Sequence, residues 1–197
     1  MNKVKLLVCY YSQTGHNFTM ANWAKDAAAA AGAEVRVRKA KELLDTSDPN
    51  PGWKQYLEDS KDVLEVTGDD LVWADAILFS VPTRFGNVPG QMKMFLDGQG
   101  GLWAQGKLNN KLVSAMATAQ NNNGGQEMTI RAIYTTVSHW GAIIVPTGYT
   151  DDSIYKAGGN PYGTSGTATR EGFANDIEEA VKHQAKRLVE VAAKFNS

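Results

Sequence analysis

Apolar and polar residues along the chain form blocks that predict strands and helices in turn. Continuous apolar runs rich in β-branched and aromatic residues predict buried strands, whereas apolar residues that recur every three or four positions predict helices. The predicted strands are residues 4–11, 34–38, 76–81, 112–117 and 142–145. The predicted helices are the alanine-rich segment 21–31, which Gly32 ends, residues 126–138, and a last helix opened by a capping box of Asn175 and Glu178.

This order of elements predicts an α/β fold, a doubly wound parallel sheet with helices on both faces, because parallel strands are joined by right-handed crossovers. In such a sheet a ligand binds beyond the carboxyl ends of the strands. Two segments lack a clear period: residues 45–70 receive no assignment, and residues 147–170 are expected to be an inserted surface loop. We expect all 197 residues to form one domain.

Composition narrows the class of protein. Lys and Arg number 20 against 21 Asp and Glu, so the chain has no basic surface for nucleic acid or an anionic membrane. No apolar run is long enough to span a bilayer and the amino terminus lacks a signal-peptide cleavage site, so we expect a soluble protein in the cytoplasm. Cys9, the only cysteine, lies in an apolar run and is expected to be a buried, unreactive thiol. No spacing of residues predicts a metal site.

The first candidate site is the loop between the first strand and the first helix, Ser12-Gln13-Thr14-Gly15-His16-Asn17. Its short hydroxyl side chains, its glycine and the positive end of the following helix suit a phosphate group held without lysine. A polar turn that only caps a helix has the same composition. The loop lacks the lysine of a Walker motif and the spaced glycines of a dinucleotide-binding loop, which disfavours an ATPase or a Rossmann dehydrogenase.

Two more polar loops follow predicted buried strands. The second loop is residues 82–90, with Pro82-Thr83-Arg84-Phe85-Gly86 as its candidate binding residues. The third loop is residues 118–125, with Ala119-Gln120-Asn121-Asn122-Asn123-Gly124 as its candidate binding residues. An aromatic side chain and a guanidinium in the second loop suit a planar electron-accepting ring, and the amides of the third suit ring carbonyls or ribityl hydroxyls. Taken alone, the second loop is better explained as an ordinary Pro/Gly turn, and the third is equally consistent with a flexible surface turn. We expect the fold to bring all three together, because each follows a strand of one parallel sheet.

Taken together, several segments resemble the WrbA family of NAD(P)H:quinone oxidoreductases. They are PTRFGN at 82–87, GQM at 90–92, FLD at 95–97, GGLW at 100–103 and GGQE at 124–127. Tyr10-Tyr11-Ser12, Gly15-His16, the region of His139, Val145-Pro146 and Asn160-Pro161-Tyr162-Gly163 extend the resemblance over nearly the whole chain. The resemblance implies a flavodoxin-like fold, with a five-stranded parallel sheet between two layers of helices.

The resemblance also implies a cofactor and a reaction. FMN would bind with its phosphate on residues 12–17 and its isoalloxazine ring against residues 82–86 and 119–124. His139 would lie near the flavin as a hydrogen-bond or proton donor to the acceptor, and Trp103 would form a wall of the substrate pocket. NADH or NADPH would reduce the flavin and a quinone would reoxidise it, in a ping-pong cycle. The family forms homotetramers, with a dimer as the alternative here. From the residues alone, a helix-end histidine bonded to backbone is the favoured interpretation of His139, and Trp103 is equally a core or interface residue.

Three positions depart from the family pattern. Thr14 stands where the family has a tyrosine expected to help place the nicotinamide nucleotide, residues 120–123 replace a loop richer in Thr and Gly, and Trp140 replaces one of two paired histidines. Two alternatives stay open. A flavodoxin-type electron carrier would share the FMN site, although a net charge of −1 lacks the acidic docking face of such carriers. A non-enzymatic FMN-dependent regulatory or scaffold protein is the other.

Overall fold

The computed structural model describes residues 3–196. The strands are β1 (Lys5–Tyr10), β2 (Glu34–Lys39), β3 (Ala76–Pro82), β4 (Leu112–Ala119), β5 (Ile143–Ile144) and β6 (Ser165–Thr167). The helices are α1 (His16–Ala30), α2 (Pro51–Asp59), α3 (Gly68–Trp73), α4 (Gly90–Asp97), α5 (Gly100–Ala104), α6 (Gln126–Ser138), α7 (Asp152–Lys156) and α8 (Glu178–Phe195). All five predicted strands are therefore present, with shifts of a few residues at their ends.

The sheet has the strand order β2-β1-β3-β4-β5, and the pairs between these strands are parallel. Strands β1, β3 and β4 occupy its centre and are almost wholly buried, as their continuous apolar sequences require. One core layer packs α1 and α8 on one face of the sheet, and a second packs α4 and α6 on the other. The predicted doubly wound parallel sheet with helices on both faces is confirmed.

The edge of the sheet beside β4 is built from two short strands. Strand β5 pairs with the beginning of β4, where Leu112 faces Ile143, and β6 pairs with its end, where Ala119 faces Thr167. The two strands act as halves of one edge strand that residues 145–164 interrupt. The segment expected to be a plain surface loop therefore differs from that expectation, since it contains α7 and the additional strand β6.

The predicted capping box of the last helix is wrong. Helix α8 begins at Glu178 after Ile177, and no side chain caps it. The Asn175 side chain instead accepts a hydrogen bond from the Thr167 N–H at 2.8 Å and donates to the Ser165 carbonyl at 2.9 Å. Asn175 thus fixes β6, because a short amide side chain bonds nearby backbone as readily as a helix end.

Residues 45–70, which had no predicted structure, contain two helix starts with recognisable caps. Asn50 accepts the Trp53 N–H at 3.0 Å at the start of α2, and Thr67 with Asp70 forms a capping box at the start of α3. Cys9 is completely buried in β1, and burial raises the pKa of its thiol, as expected for an unreactive side chain. No helix within residues 3–196 is long and apolar enough to cross a membrane.

Candidate functional site

Three loops begin side by side at the carboxyl ends of the central strands. The Tyr11 N–H donates to the Ser80 carbonyl at 3.0 Å, which joins the end of β1 to β3. The Thr83 N–H donates to the Thr118 carbonyl at 2.7 Å, which joins the end of β3 to β4. The predicted convergence of the three loops follows directly from this register.

The first loop, residues 12–17, presents unpaired backbone donors at the amino end of α1. Gly15 has φ +89°, a left-handed conformation that a side chain would strain, and its N–H donates to Ser12 Oγ at 3.0 Å. Within residues 3–196, the N–H groups of Gln13, Thr14 and His16 donate to no protein acceptor. Free N–H groups at the positive end of a helix form an anion-binding site, so the loop fits a phosphate group.

The second loop contains a two-residue turn. Arg84 and Asn87 exchange backbone hydrogen bonds at 2.9 and 3.1 Å, and the two residues between them, Phe85 and Gly86, have φ of +52° and +77°. The Phe85 side chain is fully exposed although it is large and apolar. A left-handed, exposed aromatic residue is an unfavourable combination that points to a functional position.

The loops also hold one another in place. The Arg84 guanidinium donates to Gln13 Oε1 at 3.0 Å, which links the second loop to the first. Gly125, at the start of α6, has φ +100°, and a Cβ there would lie 2.6 Å from the Gly86 Cα. Through Gly125, the third loop therefore packs directly against the second, and only glycine permits this contact. Its amide side chains from Gln120 to Asn123 are exposed to solvent at the mouth of the site.

The side chain of Asn17, a predicted cofactor ligand, is held by the ends of two strands. The side chain is 1% exposed and lies beneath the loop. Its Nδ2 donates to Thr118 Oγ1 at 2.8 Å, and its Oδ1 accepts from Ser80 Oγ at 3.0 Å. Asn17 therefore ties α1 to the ends of β3 and β4, and only its backbone can face the loop.

A fourth loop, residues 168–173, reaches the same place and was missed by the sequence analysis. It follows β6, and the Ala168 N–H donates to the Ala119 carbonyl at 2.7 Å. His16 Nε2 lies 2.9 Å from the Thr169 carbonyl, and the His16 ring meets Phe173 edge-on at 5.3 Å between centroids. Because β6 has only three residues and none is strongly apolar, the sequence carries no strand signal there.

His139 and Trp103 lie together, but far from these loops. They line a pocket of ≈ 450 Å³ with Asp97, Thr136 and Trp140. His139 follows the carboxyl end of α6, which begins at the third loop and has 13 residues, so the helix separates the two places by about 20 Å. The Asn110 N–H donates to the Gly141 carbonyl just before β4 begins. This bond places the pocket near the amino ends of the strands, whereas the three loops lie at the carboxyl ends. Within one subunit, His139 therefore does not lie beside the three loops.

The convergent loops suit FMN. Free backbone donors without a lysine fit its phosphate, and polar loops with an exposed aromatic residue fit its ring and ribityl chain. No group of three or more His, Cys, Asp or Glu side chains in the described part of the chain is arranged to hold a metal ion.

Fold and site together define a flavodoxin-like, flavin-binding α/β protein, because the anion-binding loop lies at the switch point of a 2-1-3-4-5 parallel sheet. The chain belongs to the NADPH-dependent FMN reductase family, whose sequence model matches residues 2–154. A relative from Deinococcus radiodurans named NAD(P)H dehydrogenase (quinone) is 50% identical over 194 residues, which are 98% of this chain and 97% of the relative.

Solved structures share the fold. A flavodoxin, WrbA-like protein from Agrobacterium tumefaciens superposes with a TM-score of 0.68 at 19% identity and covers 98% of this chain and 99% of its own. A flavodoxin from the domain Archaea superposes with a TM-score of 0.59 at 17% identity and covers 98% of this chain and 100% of its own. The predicted family, flavodoxin-like fold and FMN-dependent oxidoreductase class are confirmed.

Proposed function

We propose that this chain transfers two electrons from NADH or NADPH to a quinone, with FMN bound at the convergent loops. The observation that carries the proposal is the set of unpaired N–H groups in residues 12–17, placed at the helix end beside the second and third loops. The name of the Deinococcus relative supports the quinone as acceptor. When bound, FMN supplies hydride chemistry at its N5, first with the nicotinamide and then with the quinone, which gives ping-pong kinetics.

The chain itself binds and orients the reactants. Backbone N–H groups of Gln13, Thr14 and His16 hold the phosphate, while residues 82–86 and 119–124 hold the ring and the ribityl chain. The hydrogen bond from Arg84 to Gln13 keeps the first and second loops at a fixed separation. Binding to loops already held in place loses little conformational entropy, which favours a tight cofactor site.

We propose further that His139 and Trp103 act at the flavin of a neighbouring subunit in a homotetramer. In one subunit the length of α6 keeps them about 20 Å from the loops, a distance that no side-chain rotation spans. Both are exposed, Trp103 by 55%, and they line one pocket. An exposed tryptophan beside an exposed histidine suits a surface that a second copy covers and that contacts an aromatic substrate.

A mixing experiment tests the shared site. His139→Ala removes the imidazole, and Gly125→Val blocks the FMN site through the Gly86 contact. If subunits share sites, each variant is impaired alone, and oligomers reassembled from both regain activity, because some sites combine an intact loop set with an intact His139. If mixing restores nothing while exchange of subunits is shown by mass spectrometry, His139 does not act across subunits.

The reaction itself is tested on the purified protein. Released cofactor is identified by chromatography, and FMN rather than FAD is expected because the first loop accepts a terminal phosphate. Stopped-flow measurements then follow bleaching of the flavin band by NADH or NADPH and its recovery with a quinone. One-electron reoxidation only, with no bleaching by either nucleotide, would instead indicate an electron carrier. FMN-dependent partner binding without turnover would indicate the scaffold function.

A further inference from the structure

The imidazole of His16 is held at both of its nitrogens. Nε2 lies 2.9 Å from the carbonyl oxygen of Thr169, and Nδ1 lies 3.0 Å from Thr14 Oγ1. Phe173 packs edge-on against the ring, with an angle of 82° between the two planes. The side chain thus joins the first loop to the fourth, and its orientation is fixed on three sides.

These partners determine where the protons lie in a neutral His16. A carbonyl oxygen only accepts, so Nε2 must carry the hydrogen that points at Thr169. A neutral imidazole has a single N–H, so Nδ1 accepts and the Thr14 hydroxyl donates to it. The Thr14 oxygen then turns only lone pairs toward the loop. A phosphate dianion also presents only acceptors, so in this arrangement the Thr14 hydroxyl cannot donate to a phosphate held by the backbone N–H groups of the loop.

We propose that binding of a phosphate group in residues 12–17 transfers a proton from solvent to Nδ1 of His16. Nδ1–H then donates to Thr14 Oγ1, and the Thr14 hydroxyl hydrogen is released to donate to the phosphate. The bond from Nε2–H to the Thr169 carbonyl is unchanged. His16 is a positioning residue, because it acts through Thr14. The inference rests on the proposed function, which places the FMN phosphate in this loop.

The charged side chains near His16 are present before and after binding, so the phosphate is the charge that binding adds. The fourth loop carries Arg170 and Glu171 next to Thr169, and Arg84 approaches through its bond to Gln13. On the side of α2, Gly52 lies beside the Thr14 methyl group, and Lys54 follows in that helix. None of the salt bridges among residues 3–196 includes His16. An incoming dianion therefore favours the imidazolium directly.

Calorimetry measures the proton. FMN is titrated into the full chain freed of cofactor, near pH 8, in two phosphate-free buffers of different ionisation enthalpy; FMN is then a dianion, since such phosphates have a second pKa of about 6. We expect net proton uptake when FMN binds and an FMN affinity that falls as pH rises, as a proton linked to binding requires. Riboflavin, which lacks the phosphate, should bind with no uptake.

Two matched variants identify the proton acceptor. His16→Gln keeps an amide donor and an acceptor but cannot be protonated, so uptake should disappear. His183→Gln is the control, because His183 Nε2 also lies 2.8 Å from a threonine hydroxyl, that of Thr150, yet on α8. Uptake should persist in that variant. Uptake that persists in His16→Gln would overturn the inference, because the proton would then reside on the phosphate.

The wild-type protein alone also decides the point, whether or not His16→Gln folds. The chain has three histidines, so ¹⁵N spectra of histidine-labelled protein resolve each ring. His16 should change from the neutral Nε2–H form to imidazolium with FMN and stay neutral with riboflavin. A neutral His16 with FMN bound more tightly than riboflavin overturns the inference and leaves the proposed function standing. FMN binding no tighter than riboflavin overturns both, because the phosphate would not lie in the first loop.

Discussion

Replacing Asn17 by leucine tests whether this side chain supports the site from beneath or contacts the phosphate. Leucine has a similar length but makes no hydrogen bond. The change leaves the hydroxyls of Ser80 and Thr118 without their Asn17 side-chain partner, and these residues are 0% and 2% exposed. Each buried unsatisfied group costs about 1–3 kcal/mol, so Asn17→Leu should lower the free energy of unfolding by about 2–6 kcal/mol. The lower part of that range applies if Ser80 Oγ keeps its longer contact with the Asn17 carbonyl, 3.5 Å.

The assay is urea unfolding of the cofactor-free chain followed by circular dichroism, because bound FMN would raise stability by mass action. The triple variant Asn17→Leu, Ser80→Ala and Thr118→Val is the control. It replaces the whole polar group by apolar side chains of similar shape, and such replacements are close to neutral. We therefore expect the triple variant to recover most of the lost stability.

FMN affinity then separates the two roles of Asn17. If the side chain only supports the loop, the triple variant binds FMN with nearly wild-type affinity, since the backbone N–H groups of the first loop remain. If the side chain contacts the phosphate, the triple variant is stable but binds FMN weakly. Weak binding by a stable triple variant, or a loss below about 0.5 kcal/mol in the single variant, would refute the reasoning.

Three further changes have outcomes fixed by the same geometry. Gly125→Ala should weaken FMN binding by about tenfold or more, because the added Cβ would push the second loop away. Gly158→Ala is the control, since Gly158 also has a positive φ, +110°, but no atom lies within 4 Å of its Cβ position. The FMN affinity of this control, measured by calorimetry, should be unchanged. Phe85→Gly should raise the free energy of unfolding by up to about 1 kcal/mol, because it relieves a left-handed side chain, but should slow flavin turnover; unchanged turnover would exclude Phe85 from the site. Burial raises the pKa of Tyr134 to about 12, so the stability that the neutral phenol contributes is complete below about pH 10 and is lost as pH rises through about 12, by roughly 3 kcal/mol. Urea unfolding at pH 9 to 12 should show a smaller loss of stability with pH in Tyr134→Phe, and an equal loss would contradict this assignment.

The apolar pattern determined the core of this fold and three of its four site loops. Buried parallel strands need apolar residues on both faces, so continuous apolar runs predict β1, β3 and β4. The ends of these strands then predict where the first three loops begin. The sequence also predicts α8 from its amphipathic stripe and α1 from its alanine face, because the buried face of a helix repeats every three or four residues. The sequence also predicts that the first loop suits an anion, since free backbone N–H groups at a helix end depend on local sequence.

Tertiary structure decided what depends on residues far apart in sequence. The three residues of β6 become a strand only because β4 offers them an edge, and the fourth loop exists only as a result. Asn17 is a residue type that can bind phosphate, but its side chain is hydrogen-bonded to hydroxyls of β3 and β4, 63 and 101 positions away. His139 lies near the amino ends of the strands because α6 runs back along the sheet from the third loop. The length of this helix therefore separates His139 from loops that the family resemblance places beside it. A sequence pattern records the period and burial of each segment, whereas the partner of a polar side chain is set by which strand ends meet.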